Sequence, residues 1–426
     1  MGIVMAEQNG GGGGCLLWFI TFIMDLFHNK KVRKFNKMSR GIEAYKNMSA
    51  DILFPVDSYQ ENIVISGGES GDRLKLGERV WKNSVAQGRP VVVLHLANGG
   101  LENVIARNGF GLVVNKSNRL FDAFTSFELQ EICQVVLDTC KAKYDIKPNG
   151  RYILEIIHTL LASKRMRPYF SNFANFPIHQ LSDRINDARA SGGITPSVAD
   201  HLDRLLAMGQ SECAKIDSFF FDMKAQMSHI ATDDANRTGG TSVLSAIKKK
   251  QLICIDLKAS SNTMLVEIIV HSVTIAMNRG FEFSLFLDDV AIANNEPLKN
   301  LLCQKSSHNN IICSKDLYAL FAGKDDLFTT IVGEAEKTVL FSHGSHVSCE
   351  KWAKYIGEYD KIETSANRNG GFSQSSQWGY NSNYGQTETL KREYKVKPEQ
   401  INRLSSGEAF VCDIPAGSLI QTTPTY

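Results

Sequence analysis

Short apolar runs, several of them rich in β-branched side chains, recur along the chain between polar and glycine-containing stretches. Runs of this length, bounded by turn residues and separated by helical stretches, are typical of the buried strands of a parallel sheet. The pattern therefore predicts an α/β fold. The predicted strands lie at 62–66, 90–97, 110–115, 251–257, 283–287, 310–314 and 337–342.

The middle of the chain has a different pattern, because no convincing strand occurs between 127 and 231. Apolar residues recur there at helical spacing, in 129–144, 150–166 and 197–227. This pattern predicts a helical region within the α/β fold. The predicted parts are an N-terminal segment 1–40, a first part of the core 41–126, an all-α insertion 127–236 and a second part of the core 237–426.

Residues 366–389 are rich in Gly, Ser, Asn and Gln. A segment of this composition cannot bury enough apolar surface to offset the chain entropy that folding removes. We therefore predict a mobile loop at 366–389.

The N-terminus combines a glycine-rich run, 9–14, an apolar run, 15–27, and a basic cluster between Lys30 and Arg40. The apolar run is shorter than the about 20 residues that a membrane-spanning helix needs. The pattern fits a helix lying on an anionic membrane surface, and it equally fits an amphipathic helix docked on a protein partner. The first alternative predicts a peripheral protein on the cytoplasmic side of a membrane.

Composition changes this picture little. The formal charge of +2 over 426 residues gives no overall argument for nucleic-acid binding. Nine cysteines are scattered without a Cys-x-x-Cys pair, which suits a reducing compartment such as the cytoplasm.

Candidate chemistry begins where the apolar run 283–287 ends in two acids, Asp288 and Asp289. Carboxylates at the C-terminal end of such a strand lie where open α/β sheets bind ligands. In P-loop NTPases the strand-end Asp holds the Mg²⁺ of a nucleotide, and an acid beside it can position the attacking water. The alternative is that both acids only begin a solvated turn.

Further motifs follow these acids in a fixed order. They are a turn with a helix start at Asn-Asn-Glu-Pro, the strands 310–314 and 337–342, and the run PEQINRLSSGEAFV at 398–411. In this order they resemble the C-terminal half of the coupling ATPases of conjugative type IV secretion (the TraG/TraD-like proteins), with HerA/FtsK-type motors as more distant relatives. The resemblance covers roughly residues 251–413.

This resemblance implies a RecA-like, P-loop NTPase-type sheet with an all-α insertion, and ATP with Mg²⁺ as the bound group. It implies Asp288 as the metal ligand and Asp289 and Ser314 as catalytic positions. Asp289 stands in place of the family's usual Glu, and Ser314 in place of a Gln that senses the γ-phosphate.

The first nucleotide motif is where the sequence departs from the family. A P-loop reads G-x-x-x-x-G-K-[ST] between a strand and a helix. After strand 62–66 the chain continues with Gly67, Gly68, Glu69, Ser70, Gly71, Asp72 and Arg73. The glycines could still cradle a phosphate through backbone N–H groups.

Two positions of that motif oppose a phosphate, however. Asp72 stands where the phosphate-binding Lys belongs, and Arg73 stands where the Mg²⁺-binding hydroxyl belongs. Like charges repel, so Asp72 disfavours a triphosphate, which Arg73 or Lys75 would compensate only in part. The predicted nucleotide-binding residues of this degenerate P-loop are Gly67, Gly68, Ser70, Gly71, Asp72 and Arg73.

The architecture can be tested by where these motifs meet. We expect strand 283–287 to lie beside strand 62–66, so that Asp288 and the glycine-rich turn share one edge of the sheet. Their sequence separation is too large for this meeting to arise from a local signal.

The resemblance implies a component of a conjugation or type IV secretion apparatus, associated with DNA or protein cargo, with other apparatus proteins and with a ring of subunits. The degenerate P-loop predicts weak or absent hydrolysis. One alternative is an active DNA-translocating motor in which Arg73 or a neighbouring subunit supplies the missing charge. Another is a non-enzymatic scaffold that docks a second ATPase.

Overall fold

The computed structural model describes residues 13–109, 111–232, 235–259, 261–293, 295–304, 308–373 and 379–426. The chain divides into two compact units. The terminal unit consists of Met1–Asn47 and Ser342–Thr423, and the central unit consists of Met48–Phe341 and Pro424–Tyr426.

The strands fall into a parallel set in the central unit and antiparallel pairs in the terminal unit. In chain order they are β1 (Ile42–Ser49), β2 (Ile63–Ser66), β3 (Val91–His95), β4 (Gly111–Val114), β5 (Leu252–Asp256), β6 (Phe283–Asp288), β7 (His308–Ser314), β8 (Lys337–Leu340), β9 (Glu358–Ser373), β10 (Gly379–Tyr394), β11 (Ala409–Asp413) and β12 (Ser418–Thr425).

The helices connect these strands and fill the middle of the chain. They are α1 (Gly13–Arg40), α2 (Ala50–Leu53), α3 (Ser70–Ala86), α4 (Gly99–Asn108), α5 (Leu129–Asp138), α6 (Lys141–Tyr144), α7 (Gly150–Ser163), α8 (Phe170–Ala174), α9 (Leu181–Ala190), α10 (Pro196–Gly209), α11 (Cys213–Met227), α12 (Ala235–Thr238), α13 (Val243–Lys248), α14 (Thr263–Asn278), α15 (Glu296–Leu302), α16 (Leu317–Leu320), α17 (Asp325–Gly333), α18 (His346–Ile356) and α19 (Pro398–Asn402). Short 3-10 helices occupy Val56–Gln60, Ile178–Gln180 and Gln210–Glu212.

The central unit is built on a parallel sheet with the strand order β8-β2-β7-β6-β3-β5-β4. All residues of β2, β3 and β6 are buried. Strands covered on both faces are continuous apolar runs rather than alternating ones, which is why the sequence pattern identified them. Each of the seven predicted strands is present, so this part of the prediction is confirmed.

One expected neighbour relation is wrong. The sequence led us to place 283–287 beside 62–66, but β7 lies between β6 and β2 and pairs with both. The next strand after a crossover is often laid down beside the previous one, and β7 follows β6 in this way. Both turns still lie at the carboxyl edge, because all three strands are parallel.

The range 129–227 contains α5 to α11 with two 3-10 helices, and no strand occurs among these residues. Phe170, Phe173, Phe219 and Phe220 of this range form a buried cluster of aromatic rings with Phe124, which precedes it, and the rings contact one another edge to face or tilted. These helices belong to the same compact unit as the sheet. The boundaries 127–236 of an inserted domain stay a prediction.

The terminal unit contains the antiparallel pairs β9–β10 and β11–β12, with α1 packed along β9. The side-chain amide of Asn36 in α1 makes the two backbone hydrogen bonds that a neighbouring strand would make with one residue of β9. Its Nδ2 donates to the carbonyl oxygen of Ile362 at 3.0 Å, and its Oδ1 accepts from the N–H of Ile362 at 2.8 Å. None of the helices in the described ranges combines the length and hydrophobicity that crossing a bilayer requires.

The predicted loop at 366–389 and the glycine-rich run 9–14 both belong to this unit. The loop prediction for 366–389 is wrong over most of its length, because β9 and β10 pair from Glu358↔Tyr394 to Ser373↔Gly379. Backbone hydrogen bonding between two strands needs no apolar burial, so composition did not reveal it. Residues 374–378, at the centre of that segment, and 9–12 of the glycine-rich run lie outside the described residues.

Candidate active site

The carboxyl ends of the parallel strands bring the candidate residues to one edge of the central sheet. Asp288 at the end of β6 is in register with His95 of β3 and with Cys313 of β7. Ser314 of β7 is in register with Ser66 of β2. The turn that follows β2 and the two acids at the end of β6 are therefore separated only by the end of β7.

The turn between β2 and α3 has the backbone of a glycine-rich loop. Gly67 and Gly68 have φ angles of 89° and 63°, a region that residues with a side chain rarely adopt. A Cβ on Gly68 would lie 2.7 Å from the Cβ of Phe341, so the available space also requires glycine there. The helix α3 begins directly after this turn, at Ser70.

Arg73 fills the inside of this turn. It is only 4% exposed, and its Nη1 donates to the carbonyl oxygens of Gly67 at 2.9 Å and Gly68 at 2.7 Å. Its Nη2 lies 3.5 Å from Oδ2 of Asp289. The guanidinium group thus lies between the glycine-rich turn and the second acid of the Asp-Asp pair.

Asp289 and Ser314, the two predicted catalytic residues, contact each other. Oδ1 of Asp289 accepts hydrogen bonds from the Ser314 hydroxyl at 3.0 Å and from the N–H of Lys315 at 2.8 Å. The Ser314 hydroxyl in turn accepts from the N–H of Asp316 at 3.1 Å. Asp289 has a φ of 52°, a conformation that Asp tolerates better than most residues. Both side chains therefore hold the turn that follows β7.

Asp288, the predicted metal ligand, is 9% exposed, and its Oδ2 accepts from Nδ2 of Asn98 at 2.6 Å. Burial raises the pKa of Asp288; the Asn98 hydrogen bond lowers it, while the charge of Asp289 raises it again. Among the residues that the structure describes, no group of three His, Cys, Asp or Glu side chains could hold a metal ion.

Asn98, which is not among the predicted site residues, organises this part of the edge. Its backbone N–H donates to Nδ1 of His95 at 3.0 Å, and its Oδ1 accepts from the N–H of Leu101 at 3.1 Å as the N-cap of α4. An Asn between a strand and a helix start is a preferred cap, so the run HLANGG carried a signal for the cap. It carried none for the bond to Asp288.

His95 is fully buried beside Asn98. Because Nδ1 accepts from Asn98, the proton of the neutral imidazole resides on Nε2, which lies 3.5 Å from Oε1 of Glu102. Burial lowers the pKa of His95 to about 4, against a smaller opposing effect of Asp256. Burial also raises the pKa of Glu102. His95 is accordingly uncharged at neutral pH.

The remaining predicted residues lie in the first turn of α3. Ser70 and Gly71 begin the helix, and a Cβ on Gly71 would meet no atom within 4 Å. The carbonyl oxygen of Asp72 accepts from the Tyr426 hydroxyl at 3.3 Å, and Nζ of Lys75 lies 4.9 Å from the centre of the Tyr426 ring. Lys75, a candidate for replacing the missing lysine, therefore contacts an aromatic ring instead.

The hydrogen bonding of this turn differs from that of a phosphate-binding turn. A phosphate-binding turn points backbone N–H groups at its ligand. Here Gly67 donates its N–H to the carbonyl oxygen of Ser314 at 2.9 Å, and the carbonyl oxygens of Gly67 and Gly68 face a guanidinium cation. The turn that in a P-loop surrounds an anion surrounds a cation in this chain.

No protein-family model and no curated protein matches the sequence. Among solved structures, the chain is similar to the bacterial conjugative coupling protein TrwBdeltaN70 in an unbound monoclinic form, at 14% identity over 93% of this chain and 91% of that one, with a TM-score of 0.53. It is similar to the plasmid coupling protein TrwB in complex with the GTP analogue GDPNP, at 13% identity, 92% and 91% coverage and a TM-score of 0.54. TrwB in complex with ADP and Mg²⁺ matches at 13% identity, 92% and 90% coverage and a TM-score of 0.52.

At such identities this likeness shows the fold. The predicted α/β fold of the P-loop NTPase type is confirmed, and the chain has the fold of a conjugative coupling protein over nearly its whole length. The TrwB structures include complexes with nucleotides and with Mg²⁺. The roles of the individual residues in this chain stay predictions.

Proposed function

We propose that this chain is a coupling-protein-like component of a conjugation or type IV secretion apparatus that does not turn over ATP at the rate of a motor. The fold supports the first half of this proposal. The second half rests on one observation: the guanidinium of Arg73 is bonded to the turn that would hold the phosphates.

Charge supports the same conclusion. A P-loop contributes a lysine and a hydroxyl to the phosphates and the Mg²⁺, and both are replaced here, by Asp72 and Arg73. A Mg²⁺-nucleotide would have to displace Arg73 from its two carbonyl partners and bring its own negative charge close to Asp72. Each buried hydrogen bond to a charged group contributes about 1.5–3 kcal/mol, so the displacement opposes binding.

The proposal is tested by steady-state hydrolysis and equilibrium binding of Mg-ATP with the full chain. We expect turnover far below the about one per second that is common for enzymes. Asp72→Lys combined with Arg73→Thr places the lysine and the hydroxyl of a P-loop at these two positions and should increase the affinity for Mg-ATP, and Arg73→Thr alone, which only empties the turn, should increase it less. Wild-type turnover of about one per second that disappears in Asp288→Ala would show that the chain is an active motor.

DNA, apparatus proteins and a ring of subunits are the proposed partners. Their basis is the fold, since the chain covers more than nine-tenths of a conjugative coupling protein structure. DNA association has a direct test, because binding to phosphates weakens steeply as salt rises. DNA binding that is absent at low salt would favour the scaffold role, in which the same fold docks a second ATPase.

We also propose that α1 contacts an anionic membrane surface. One side of the helix is bonded within the terminal unit, through Asn36 and an Arg40 Nε bond to the carbonyl oxygen of Lys395. Lys30, Lys34 and Lys37 recur at helical spacing and are exposed, as are the nearby Phe27 and Met38. Cations and apolar side chains on one exposed helix fit a lipid interface.

Binding to vesicles of anionic lipid tests this contact. Lys34→Gln with Lys37→Gln should weaken binding by about 2 kcal/mol, since each lysine near such a surface contributes about 1 kcal/mol. Lys248→Gln with Lys249→Gln, which removes two exposed lysines of the central unit, is the matched control. Equal loss in both variants would indicate attraction by net charge rather than by α1.

A further inference from the structure

We infer that the turn Gly67–Gly68, together with Asp289, is a guanidinium-binding site whose resident ligand is Arg73 of the same chain. This inference rests on the proposed function in one respect, namely that the turn holds no phosphate. It goes further by stating which chemical group the turn recognises and what that group does there.

The acceptors match the donors of a guanidinium group. Two carbonyl oxygens, those of Gly67 and Gly68, lie 2.9 Å and 2.7 Å from Nη1, and a carboxylate oxygen of Asp289 lies 3.5 Å from Nη2. Guanidinium is planar and offers donors in a fixed fork, whereas an ammonium group is a compact point charge. Three oxygen atoms that converge on the two terminal nitrogens therefore favour guanidinium over ammonium.

The backbone of the turn produces this polarity. The positive φ angles of Gly67 and Gly68 direct both carbonyl oxygens toward the guanidinium. The N–H of Gly67 is used by the carbonyl oxygen of Ser314. A turn with this peptide orientation presents partial negative charge to its interior, and a cation is the group that such an interior stabilises.

Burial shows that the site is closed around its ligand. Arg73 is 4% exposed, and a buried charge is costly unless oppositely polarised groups surround it. In the part of the chain that the structure describes, Nε of Arg73 has no hydrogen-bond partner, so recognition is confined to the two terminal nitrogens. A small ligand that carries only that end of the side chain should therefore bind.

The guanidinium group joins three turns of the sheet edge. It contacts the turn after β2 directly and Asp289 after β6, and Asp289 binds the Ser314 hydroxyl and the N–H of Lys315 after β7. In a P-loop NTPase the Mg²⁺-phosphate group connects the corresponding turns. Arg73 thus gives this edge a permanent internal connection that does not depend on a nucleotide.

Chemical rescue of Arg73→Ala in the full chain is the test, with methylguanidinium as the probe and thermal unfolding as the readout. We expect Arg73→Ala to lower the Tm by several degrees. Millimolar methylguanidinium should then raise the Tm of the variant by at least about 1 °C, since a given stabilisation shifts the Tm less in a large unit than in a small domain. The wild-type protein, whose site is filled, should show no rise.

Methylammonium is the matched control ligand, and Arg73→Lys is the second variant in case Arg73→Ala does not fold. Methylammonium should not rescue Arg73→Ala, and Arg73→Lys should unfold at a lower temperature than the wild type. Absence of rescue by methylguanidinium, equal rescue by methylammonium, or a Tm of Arg73→Lys equal to that of the wild type each overturn the inference. ATP turnover by the wild type would overturn the proposed function without affecting any of these results.

Discussion

Two halves of one sheet edge differ in the partners of their acidic and imidazole side chains: one half provides a cation and the other a neutral amide. Around β2 and the end of β6, Asp289 lies beside a cation, Arg73. At the ends of β3 and β6, the neutral Asn98 is the hydrogen-bond partner that the described residues provide for both His95 and Asp288. Burial raises the pKa of Asp288 and lowers the pKa of His95, so each of these two groups tends toward its uncharged form. We call these the cation half and the neutral half.

The largest expected difference between the halves is in the response to acid. The folded-state pKa of His95 is about 4, below its unfolded value of about 6.5. Between these values the unfolded chain binds more protons than the folded protein, so the free energy of unfolding falls as the pH is lowered. The expected loss through His95 is about 3 kcal/mol, fully developed below pH 4.

Urea unfolding of the wild type and of His95→Asn, followed from pH 7 to pH 4, measures this loss. The Asn side chain retains an oxygen to accept the Asn98 N–H but cannot be protonated. Glu102 and Asp256 face His95 and are present in both proteins, as is His308, whose pKa burial also lowers to about 4, so their contributions cancel in the comparison. Identical pH dependence of the two proteins would contradict the assignment of the neutral half.

A smaller effect is expected from Asn98→Ala. This variant removes the cap of α4 and the only side-chain donor that the structure shows on Asp288 among its described residues. We expect a loss of about 2 kcal/mol at pH 7, from a cap contribution of about 1 kcal/mol and a similar one from the buried hydrogen bond. The loss should shrink toward pH 4, because a protonated Asp288 needs the donor less.

The smallest effect is expected in the cation half, from Ser314→Ala. Asp289 retains the N–H of Lys315 and the guanidinium of Arg73 when the hydroxyl is removed. Removing the hydroxyl also breaks its bond to the N–H of Asp316, and we expect a loss of about 1 kcal/mol in total, about 0.5 kcal/mol for each of the two hydrogen bonds. If Ser314→Ala proved more destabilising than Asn98→Ala, the contrast between the halves would be wrong.

The strands were predictable from the sequence because both faces of the central sheet are covered. Such strands are continuous apolar runs, and β2, β3 and β6 coincide with the predicted ones within a few residues. The order of the strands in the sheet does not follow from apolar runs. The expected pairing of β6 with β2 is wrong, because β7 lies between them. Low-complexity composition misled the prediction at 366–389, where β9 and β10 pair in antiparallel register.

In the candidate site, too, the local structure was predictable from the sequence, whereas the contacts between distant segments were not. The strand, turn and helix start around Gly67 and Gly68 followed from local sequence, and Arg73 was expected only as a partial replacement for a phosphate-binding cation. Its actual partners depend on how the peptide groups of the turn are oriented and on Asp289, which lies 216 positions away. The bond between Asn98 and Asp288 joins two strand ends and is equally non-local.

The double hydrogen bond between Asn36 and Ile362 has a consequence for aggregation. The free edge of a two-stranded ribbon is a template on which other chains can add strands, and proteins commonly cover such edges. Asn36 bonds both the N–H and the carbonyl oxygen of Ile362 on β9, so these two groups are not available to pair with another strand. Truncation of α1 would uncover it and confound any solubility assay, whereas lysine substitutions on the exposed face of α1 leave the edge covered.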